Sequence, residues 1–503
     1  MQALSQAFAA LTGGWAIPAA FAGVLWGIFG GALPGISPSI AMALLLPMTY
    51  GMDPVTAIVL LASVYVGAEY GGSIPAILIR TPGTNSAAAT TIDGYEMARQ
   101  GRAGEALGIS LMAGLVGGLF GLVVLVVATK PLATVALAFT PMAYFALGIL
   151  GISVIASLSG GSLLKGLIAA VIGLMFAMVG SDPVSGVSRF TFEHPDLLGG
   201  IKPLLVMVGL FAVSEMLVQI SEPQWAKADA GQTRLKLPDW LMMKRLFRPT
   251  AIGCAIGTFE GVTPGGGGTI AAFMSYSEAR RWSKHPEEFG KGSPEAVAAP
   301  ESSNNVVTAT ALVPLLSLGI PGSNSAAVLL GGFLIHGLQP GPMLFEKAPH
   351  VVYGLYGGLL IANIAMLLIG LVILSPCIWL VNRPKHWLIA FILALVVSGV
   401  YSVNQSLFEV GLVLGVGVLG YLLRLCQVPM LPMVLGAVLG FMIESNYRRS
   451  LLLSGGHHGI FLTDKVSLGL LVAAAALTAY STWQELRGPR KKKSLTPLEE
   501  QTT

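Results

Sequence analysis

Charged residues are scarce in this chain. They make up 11% of its 503 residues, against roughly 25% in an average soluble domain. So few charges cannot coat a soluble protein of this length, which would divide into about three domains. The composition therefore excludes an ordinary soluble enzyme, a disordered chain and a nucleic-acid-binding domain.

Cysteine and catalytic signatures are also sparse. The three cysteines, Cys254, Cys377 and Cys426, stand singly in or beside apolar segments. They lack the spacing of a disulfide framework or a metal site, so we expect them to be packing residues. The sequence contains no nucleotide-binding loop, catalytic triad or zinc signature. We therefore predict that the chain is not an enzyme, uses no cofactor and does not hydrolyse ATP.

Apolar residues, by contrast, are abundant and occur in long runs. They account for 54% of the sequence, in runs of about 18 to 25 residues, the length that crosses a bilayer as a helix. The pattern predicts an all-α polytopic membrane protein with about 12 spanning segments. Glycine is also frequent, with 63 residues, and in membrane helices it allows close approach of the backbones.

The two halves of the sequence repeat each other. Any single match could arise by chance, but four matches in the same order indicate a duplication. The matching pairs are Pro34–Ala41 with Pro264–Ala271, Thr81–Ala88 with Ile320–Ala327, Ser162–Lys165 with Ser406–Glu409, and Pro203–Glu215 with Pro432–Glu444.

The basic residues indicate that the repeats are inverted. Lys and Arg in short loops mark the cytoplasmic side. The loop Tyr50–Pro54 contains neither, whereas its counterpart Glu278–Glu295 contains four of them, and such a change of sign is expected for inverted repeats. Arg448 and Arg449 disagree, since they fall on the side that this scheme makes periplasmic. The predicted segments are repeat 1 (1–221), a polar, basic cytoplasmic linker (222–249), repeat 2 (250–450), an extra C-terminal helix (451–486) and a basic cytoplasmic tail (487–503).

Four Pro-Gly pairs interrupt the apolar segments. Proline removes a helix hydrogen bond, and glycine adopts backbone angles that other residues avoid. Such pairs break helices, and broken backbone at membrane depth occurs where it is buried in protein or lines a wet cavity. The alternative is that the pairs mark loop ends at the membrane surface. The pairs are Pro34-Gly35, Pro82-Gly83, Pro264-Gly265 and Pro321-Gly322.

Polar residues follow two of these breaks in the same order. Thr84–Ser86 and Ser323–Ser325 each place two hydroxyls around an asparagine. These residue types are preferred helix caps, and they also suit the oxygens of a carboxylate and a small cation. We therefore predict a Na+ near Asn85 and Asn324, and two clusters that together suit a substrate with carboxylates at both ends. The candidate binding residues are Pro34, Gly35, Pro82, Gly83, Thr84, Asn85, Ser86, Gly265, Thr269, Asn304, Asn305, Pro321, Gly322, Ser323, Asn324 and Ser325.

Ionisable residues in or beside the apolar runs are further candidates. A charge inside a membrane is costly and marks a functional site by default, whereas a charge at a helix end is cheap. The segment Glu301–Asn305 is densely polar and is interpreted as a helix cap or as part of a substrate or ion site. The ionisable set is Glu69, Lys165, Glu215, Glu260, Glu301, Glu409 and Glu444.

Several motifs together resemble the TctA family, the large membrane subunit of tripartite tricarboxylate transporters. The resemblance covers about residues 27 to 450. The motifs are Leu33–Ile36 with Pro38, Tyr70–Ala76, Thr81–Gly83, Asp93–Tyr95, Gly101–Gly104, Gly265–Ala271, Ala299–Glu301 with Asn304 and Asn305, Leu318–Gly322, and His336–Pro342.

This resemblance implies partners, substrate and location. Such systems combine the large subunit with a small membrane subunit (TctB-like) and a periplasmic solute-binding protein (TctC-like). They import carboxylates across the bacterial cell inner membrane with an ion gradient, commonly of Na+, with H+ as the alternative. The chain is thus expected to be the multi-pass core of a secondary importer of citrate-like di- or tricarboxylates.

Other functions stay open at this point. The chain could be an uncoupled carboxylate channel or scaffold subunit. A membrane-embedded enzyme is a third reading, but the sequence offers no placed nucleophile or base. For a transporter, the repeats predict a mobile unit of Pro-Gly segments against a scaffold of long helices such as Ala103–Ala128 and Val351–Leu374. An elevator-like slide is preferred over a rocking motion.

Overall fold

The fold is all-α and 80% helical. It is known from a computed structural model that describes residues 5, 8–9, 11–12, 14–158, 162–182, 186–221, 234–263 and 267–486. The first half forms α1 (Ala16–Ala32), α2 (Pro38–Leu45), α3 (Pro54–Ile79), α4 (Thr90–Arg99), α5 (Ala103–Ala136), α6 (Pro141–Leu158), α7 (Leu163–Ala177) and α8 (Pro203–Ser221). Short 3-10 turns lie at Leu46–Gly51, Asn85–Ala88 and Pro195–Leu197, and Gly180–Ser181 pairs with Ser188–Arg189 as a two-stranded antiparallel ribbon, β1 and β2.

The second half has the same character. Its helices are α9 (Trp240–Val262), α10 (Gly267–Trp282), α11 (Pro294–Thr310), α12 (Leu312–Leu318), α13 (Asn324–Ile335), α14 (Leu344–Lys347), α15 (Pro349–Gly370), α16 (Leu374–Val381), α17 (Lys385–Asn404), α18 (Leu407–Leu425), α19 (Met430–Leu453), α20 (Ile460–Thr463) and α21 (Lys465–Leu486). One more 3-10 turn lies at Pro286–Glu288.

Within the described residues, eight helices are long and apolar enough to cross a membrane. They are α3, α5, α8, α15, α17, α18, α19 and α21. The predicted all-α, multi-pass membrane protein is confirmed at this level. The figure of about 12 spans stays a prediction, because α1, α2, α6, α7 and α13 are apolar but shorter.

Helix α3 lies at the centre, with its whole apolar window buried. It begins where the Asp53 side chain accepts a hydrogen bond from Thr56 N at 3.0 Å, with Pro54 in the first turn. It ends at Arg80, which takes a left-handed conformation with φ 57°. An ordinary surface helix would be polar on one face. Because α3 is covered on all sides, its few polar side chains must find partners inside the protein.

The start of α9 falls inside the segment predicted as a linker. Its first turn is capped by Asp239, whose carboxylate accepts from Met242 N at 2.8 Å. Because of this cap, the helix begins at Trp240, ten residues before the predicted start of repeat 2. The rest of the predicted linker up to residue 233 lies outside the described residues, as does the predicted C-terminal tail.

Two pairs of helices cross through glycines spaced four residues apart. A Cβ added at Gly23 on α1 would lie 2.5 Å from Leu60 O on α3, and one at Gly257 on α9 would lie 2.5 Å from Ser303 O on α11. Only glycine permits so close an approach. The two rows occupy matching places in the two halves. They are Gly23, Gly27 and Gly31 against α3, and Gly253, Gly257 and Gly261 against α11.

Two of the Pro-Gly breaks, Pro82-Gly83 and Pro321-Gly322, have the same local structure, and we call them the two central breaks. Gly83 N donates to Gly72 O at 3.0 Å, and Gly322 N donates to Ala311 O at 3.3 Å. The helix before each break ends in a left-handed residue, Arg80 in one half and Gly319 in the other. These contacts hold each extended segment against the helix that precedes it.

The chain forms two compact units. The first comprises residues 1–139 and 177–426, and the second comprises 140–176 and 427–503. In the second unit α6, α7 and α19 share an apolar cluster around Ile155, Ala170 and Leu435. All described Pro-Gly breaks lie in the first unit, together with α5 and α15, which were predicted as scaffold helices.

Candidate functional site

The two central breaks contact the same face of α3. The Tyr65 hydroxyl lies 3.1 Å from Ser323 Oγ, in the break of the second half. One helical turn later, Glu69 Oε2 accepts a hydrogen bond of 2.6 Å from Ser86 Oγ, in the break of the first half. Residues four apart lie on one helix face. Helix α3 therefore brings polar groups of both halves to one place.

Glu69 is the charged group of this place. Its side chain is 5% exposed, and within the described residues no Lys, Arg or His forms an ion pair with it. Its neighbours are hydroxyls and an amide: Ser86, which lies 3.1 Å from Thr84 Oγ1, and Asn304 on α11. A buried carboxylate without a basic partner is costly unless a cation or a proton neutralises it.

Asn304 is buried beside this carboxylate with its hydrogen-bonding capacity unused. Its side chain is 1% exposed, and among the described residues neither amide atom has a hydrogen-bond partner. Buried amides are nearly always satisfied. Helix α10 closes over it, since a Cβ at Gly268 would lie 2.7 Å from Asn304 Oδ1 and 3.2 Å from Ser86 Cβ. The unpaired amide oxygen is thus available to a ligand.

Glu301, which is also on α11, is a second buried carboxylate and is 1% exposed. Its Oε1 accepts from the Thr90 hydroxyl on α4, and its Oε2 lies 2.8 Å from Ser110 Oγ on α5. Ser110 Oγ lies 2.7 Å from Ser73 Oγ, which donates to Tyr70 O at 2.6 Å. Four helices, from both halves of the chain, thus meet at one carboxyl group.

Asp93 on α4 anchors the loop that precedes α11. It is fully buried, and its carboxylate accepts from Gly290 N and Gly292 N at 2.9 Å and from Ser293 N at 2.8 Å. The Tyr276 hydroxyl adds a fourth donor at 2.9 Å. These bonds tie α4 to the loop that precedes α11, which carries Glu301 and Asn304.

The predicted residues that follow the two breaks differ in their exposure. Thr84, Ser86, Ser323 and Ser325 are buried, whereas Asn85 and Asn324, each the first residue of its helical segment, are exposed. Thr84 and Ser323 act as caps, because their hydroxyls accept from Ala87 N at 3.4 Å and Ala326 N at 3.1 Å. The hydroxyls therefore face the protein and the amides face outward.

Other predicted residues lie elsewhere. Gly35 has φ 85° and lies against the Gln219 side chain, whose amide donates to Glu215 Oε1 at 3.0 Å. Glu215 is paired with Arg424. Thr269 is exposed on α10. Pro264 and Gly265 lie outside the described residues. Asn305 donates to Glu301 O at 3.1 Å, and Pro82, Gly83, Pro321 and Gly322 form the two breaks.

Tyr65, Ser73, Thr90 and Ser110 were not predicted as site residues, and Glu69 was only one of seven ionisable candidates. A signal was present, because Tyr65, Glu69 and Ser73 are spaced four apart in an otherwise apolar segment. That spacing puts them on one helix face. No group of three or more His, Cys, Asp or Glu suited to a metal occurs among the described residues.

Broken helices and buried carboxylates inside a multi-pass helical protein are typical of the core of a membrane transporter. The comparison with known families makes this specific. The model of the tripartite tricarboxylate transporter TctA family matches residues 17–435. The chain belongs to that family.

Two relatives come from Agrobacterium vitis. An uncharacterized 52.8 kDa protein in the TAR-I ttuC' 3'region is 38% identical over 475 residues, which cover 94% of each chain. An uncharacterized protein in the TAR-II ttuC' 3'region is 35% identical over 215 residues, covering 43% of this chain and 89% of that protein. No solved structure matches the chain.

Proposed function

We propose that the chain is the large transmembrane subunit of a binding-protein-dependent secondary transporter that imports di- or tricarboxylates, coupled to a gradient of Na+. The observation that carries the proposal is Glu69, a carboxylate 5% exposed and without a described basic partner, which contacts the first break one helical turn from the contact of Tyr65 with the second. An anionic substrate is repelled there unless a cation arrives with it. Coupling to a cation follows from this electrostatic need.

The cation site would use oxygens that are already in place. Glu69, the Thr84 and Ser86 hydroxyls and Asn304 Oδ1 are oxygen ligands of the kind that hard cations prefer. Asn304 has no other described partner, so its use as a ligand would break no hydrogen bond of that amide. This set lies next to Asn85, where the sequence analysis expected Na+.

The substrate would be held from the outward side of the two breaks. Asn85 and Asn324 are exposed, and amide donors suit carboxylate oxygens. Helix α13 also presents free backbone amides at its start, after the Ser323 cap, and helix N-termini favour anions. Two such groups suit a substrate with carboxylates at both ends.

The remaining architecture is proposed from sequence and family together. The matching glycine rows and matching breaks of the two halves support internal repeats, and the basic-loop pattern supports their inversion. A TctB-like small membrane subunit and a TctC-like periplasmic binding protein are proposed as partners in the bacterial inner membrane. Because the binding protein delivers the substrate, it selects which carboxylate is carried.

Uptake in proteoliposomes tests this function. The chain is reconstituted with its small subunit and binding protein, and radiolabelled citrate is the first probe of a carboxylate panel. We expect uptake against the carboxylate gradient when Na+ is high outside, and loss of accumulation when Na+ is equal on both sides. A pH gradient without Na+ is the matched control for H+ coupling. Uptake indifferent to Na+, H+ and membrane potential would instead identify an uncoupled channel.

A further inference from the structure

The hydroxyl groups around Glu301 do not carry enough hydrogen atoms for the contacts that they make. Four oxygen–oxygen contacts link Tyr70 O, Ser73, Ser110, Glu301 and Thr90. Three of them measure 2.6, 2.7 and 2.8 Å, and each is a hydrogen-bond distance. Ser73, Ser110 and Thr90 supply one hydrogen each. The fourth hydrogen must come from another group.

We propose that Glu301 supplies it, as a neutral carboxylic acid, and that Glu301 is a proton-binding site of this protein. With the proton on Oε2, every contact is satisfied in one direction. Glu301 donates to Ser110, Ser110 donates to Ser73, and Ser73 donates to Tyr70 O. The Thr90 hydroxyl donates to Oε1. Without that proton, one pair of oxygens within hydrogen-bond distance is left facing each other with no hydrogen between them.

The surroundings of Glu301 agree with a neutral acid. The titratable groups that face it are Glu69 and the Tyr70 phenol, both on α3, and neither supplies positive charge. Helices α4 and α5 face it with the Thr90 and Ser110 hydroxyls.

Helices α9 and α10 also pack against α11. The Arg245 side chain of α9 forms an ion pair of 3.0 Å with Glu295 in the first turn of α11, not with Glu301. Helix α9 meets α11 through glycines opposite Ser302 and Ser303, and α10 meets it through Gly268 opposite Asn304. No described Lys, Arg or His pairs with Glu301. A bound proton therefore neutralises this carboxylate where a salt bridge otherwise would.

The proposal goes beyond the cation site at Glu69, because it concerns a different carboxylate. It gives two neighbouring buried acids different roles, cation binding at Glu69 and proton binding at Glu301. Glu69 has the unpaired amide of Asn304 beside it, whereas Glu301 has both oxygens occupied by hydroxyl groups of Thr90 and Ser110. The protein thus holds one exchangeable proton in addition to any cation bound with substrate.

Infrared difference spectroscopy of the purified full chain in lipid nanodiscs tests the proposal, without Na+ and without any carboxylate ligand. A protonated carboxyl group gives a carbonyl-stretch band that is separate from the carboxylate and amide bands and shifts in D2O. We expect absorption of this kind at neutral pH in the wild type, and loss of the component that belongs to Glu301 in Glu301→Gln. The glutamine amide can donate to Ser110 and accept from Thr90, so this variant keeps all four hydrogen bonds and should fold.

Two further variants complete the design. Glu69→Gln is the matched control and should retain the component that belongs to Glu301. Ser110→Ala keeps Glu301 but removes its acceptor, so the band should move to higher frequency. Identical spectra of wild type and Glu301→Gln in this region would overturn the proposal, as would absorption that disappears entirely in Glu69→Gln and is unchanged in Glu301→Gln. Because no transport is measured, failure here is distinguishable from failure of Na+-coupled uptake.

Discussion

At the residue scale, the centre of this protein is a set of polar side chains placed where apolar ones would be cheaper. Neither amide atom of Asn304 has a described hydrogen-bond partner, and Glu69 has no described basic partner. Asp93, by contrast, is saturated by donors, and both oxygens of Glu301 contact hydroxyl groups. Burial of a saturated polar group is inexpensive, and burial of an unsaturated one is not. Residues with unused capacity are therefore those expected to bind a ligand, and saturated ones those expected to hold structure or a proton.

Substitutions at the two breaks test this difference. Asn85→Ala and Asn324→Ala should each lower carboxylate affinity about ten- to a hundredfold, since a charge-assisted hydrogen bond is worth roughly 1.5 to 3 kcal/mol. Glu69→Gln should instead weaken the dependence of uptake on Na+, because it removes the charge that attracts the cation. Concentration series of citrate and of Na+ in proteoliposomes separate the two effects.

The control for these variants is Asn446→Ala, whose amide bonds only within its own helix. It should transport as the wild type does. If Asn85→Ala and Asn324→Ala also transport normally while correctly inserted, the residues after the breaks are only caps and substrate binds elsewhere.

At the element scale, glycine spacing decides how the helices cross. The rows on α1 and α9 let backbone carbonyls of α3 and α11 approach to distances that any side chain would block. In a membrane, burial of apolar surface provides no driving force for helix association, so such close packing is a main source of it. The helices that carry Glu69 and Glu301 are therefore positioned by their glycine neighbours rather than by charge.

Gly23→Ala should destabilise the folded protein by about 1 to 3 kcal/mol, the usual cost of overpacking. The added Cβ would lie 2.5 Å from Leu60 O and 2.9 Å from Ser63 Cβ. Gly415→Ala on α18 is the matched control, because nothing lies within 4 Å of its added Cβ, and alanine is the better helix former by roughly 1 kcal/mol. The melting temperature in detergent should fall for the first variant and stay or rise for the second; equal melting temperatures would contradict the close crossing.

At the scale of the whole molecule, the halves use matching elements to build one polar centre. Asn304 of the second half lies near the break of the first, and Tyr65 of the first half contacts the break of the second. Such an exchange is expected when two repeats face each other across an axis. A transport motion of either half would therefore move groups that belong to the other.

Cysteine labelling tests whether the repeats are inverted. Tyr50 lies in the 3-10 turn Leu46–Gly51 and Arg281 in the last turn of α10, in segments predicted to be equivalent in the two halves, and both side chains are exposed. In a background with Cys254, Cys377 and Cys426 replaced by alanine, a membrane-impermeant maleimide should label Tyr50→Cys in intact cells. Arg281→Cys should react only after the cells are opened. Labelling of both cysteines from one side would contradict the inversion.

Composition and pattern alone determined the class of this protein. A charged fraction of 11% and long apolar runs leave a multi-pass helical membrane protein as the outcome, and local motifs around Pro82, Pro321 and Glu301 identify the family. Breaks and caps could also be predicted, since proline, glycine and the hydroxyl residues act on their own backbone within a few residues.

Only the tertiary structure decided which polar groups meet. Glu69 and Ser86 are close because the break that follows α3 folds back along that helix, and Glu301 joins Ser110 and Thr90 from the other half of the chain. A contact between residues about 200 positions apart depends on how helices cross, and a sequence pattern reports only the face on which a residue lies. For the same physical reason, the outward position of Asn85 and Asn324 and the missing hydrogen at Glu301 could not be found before the helices were packed together.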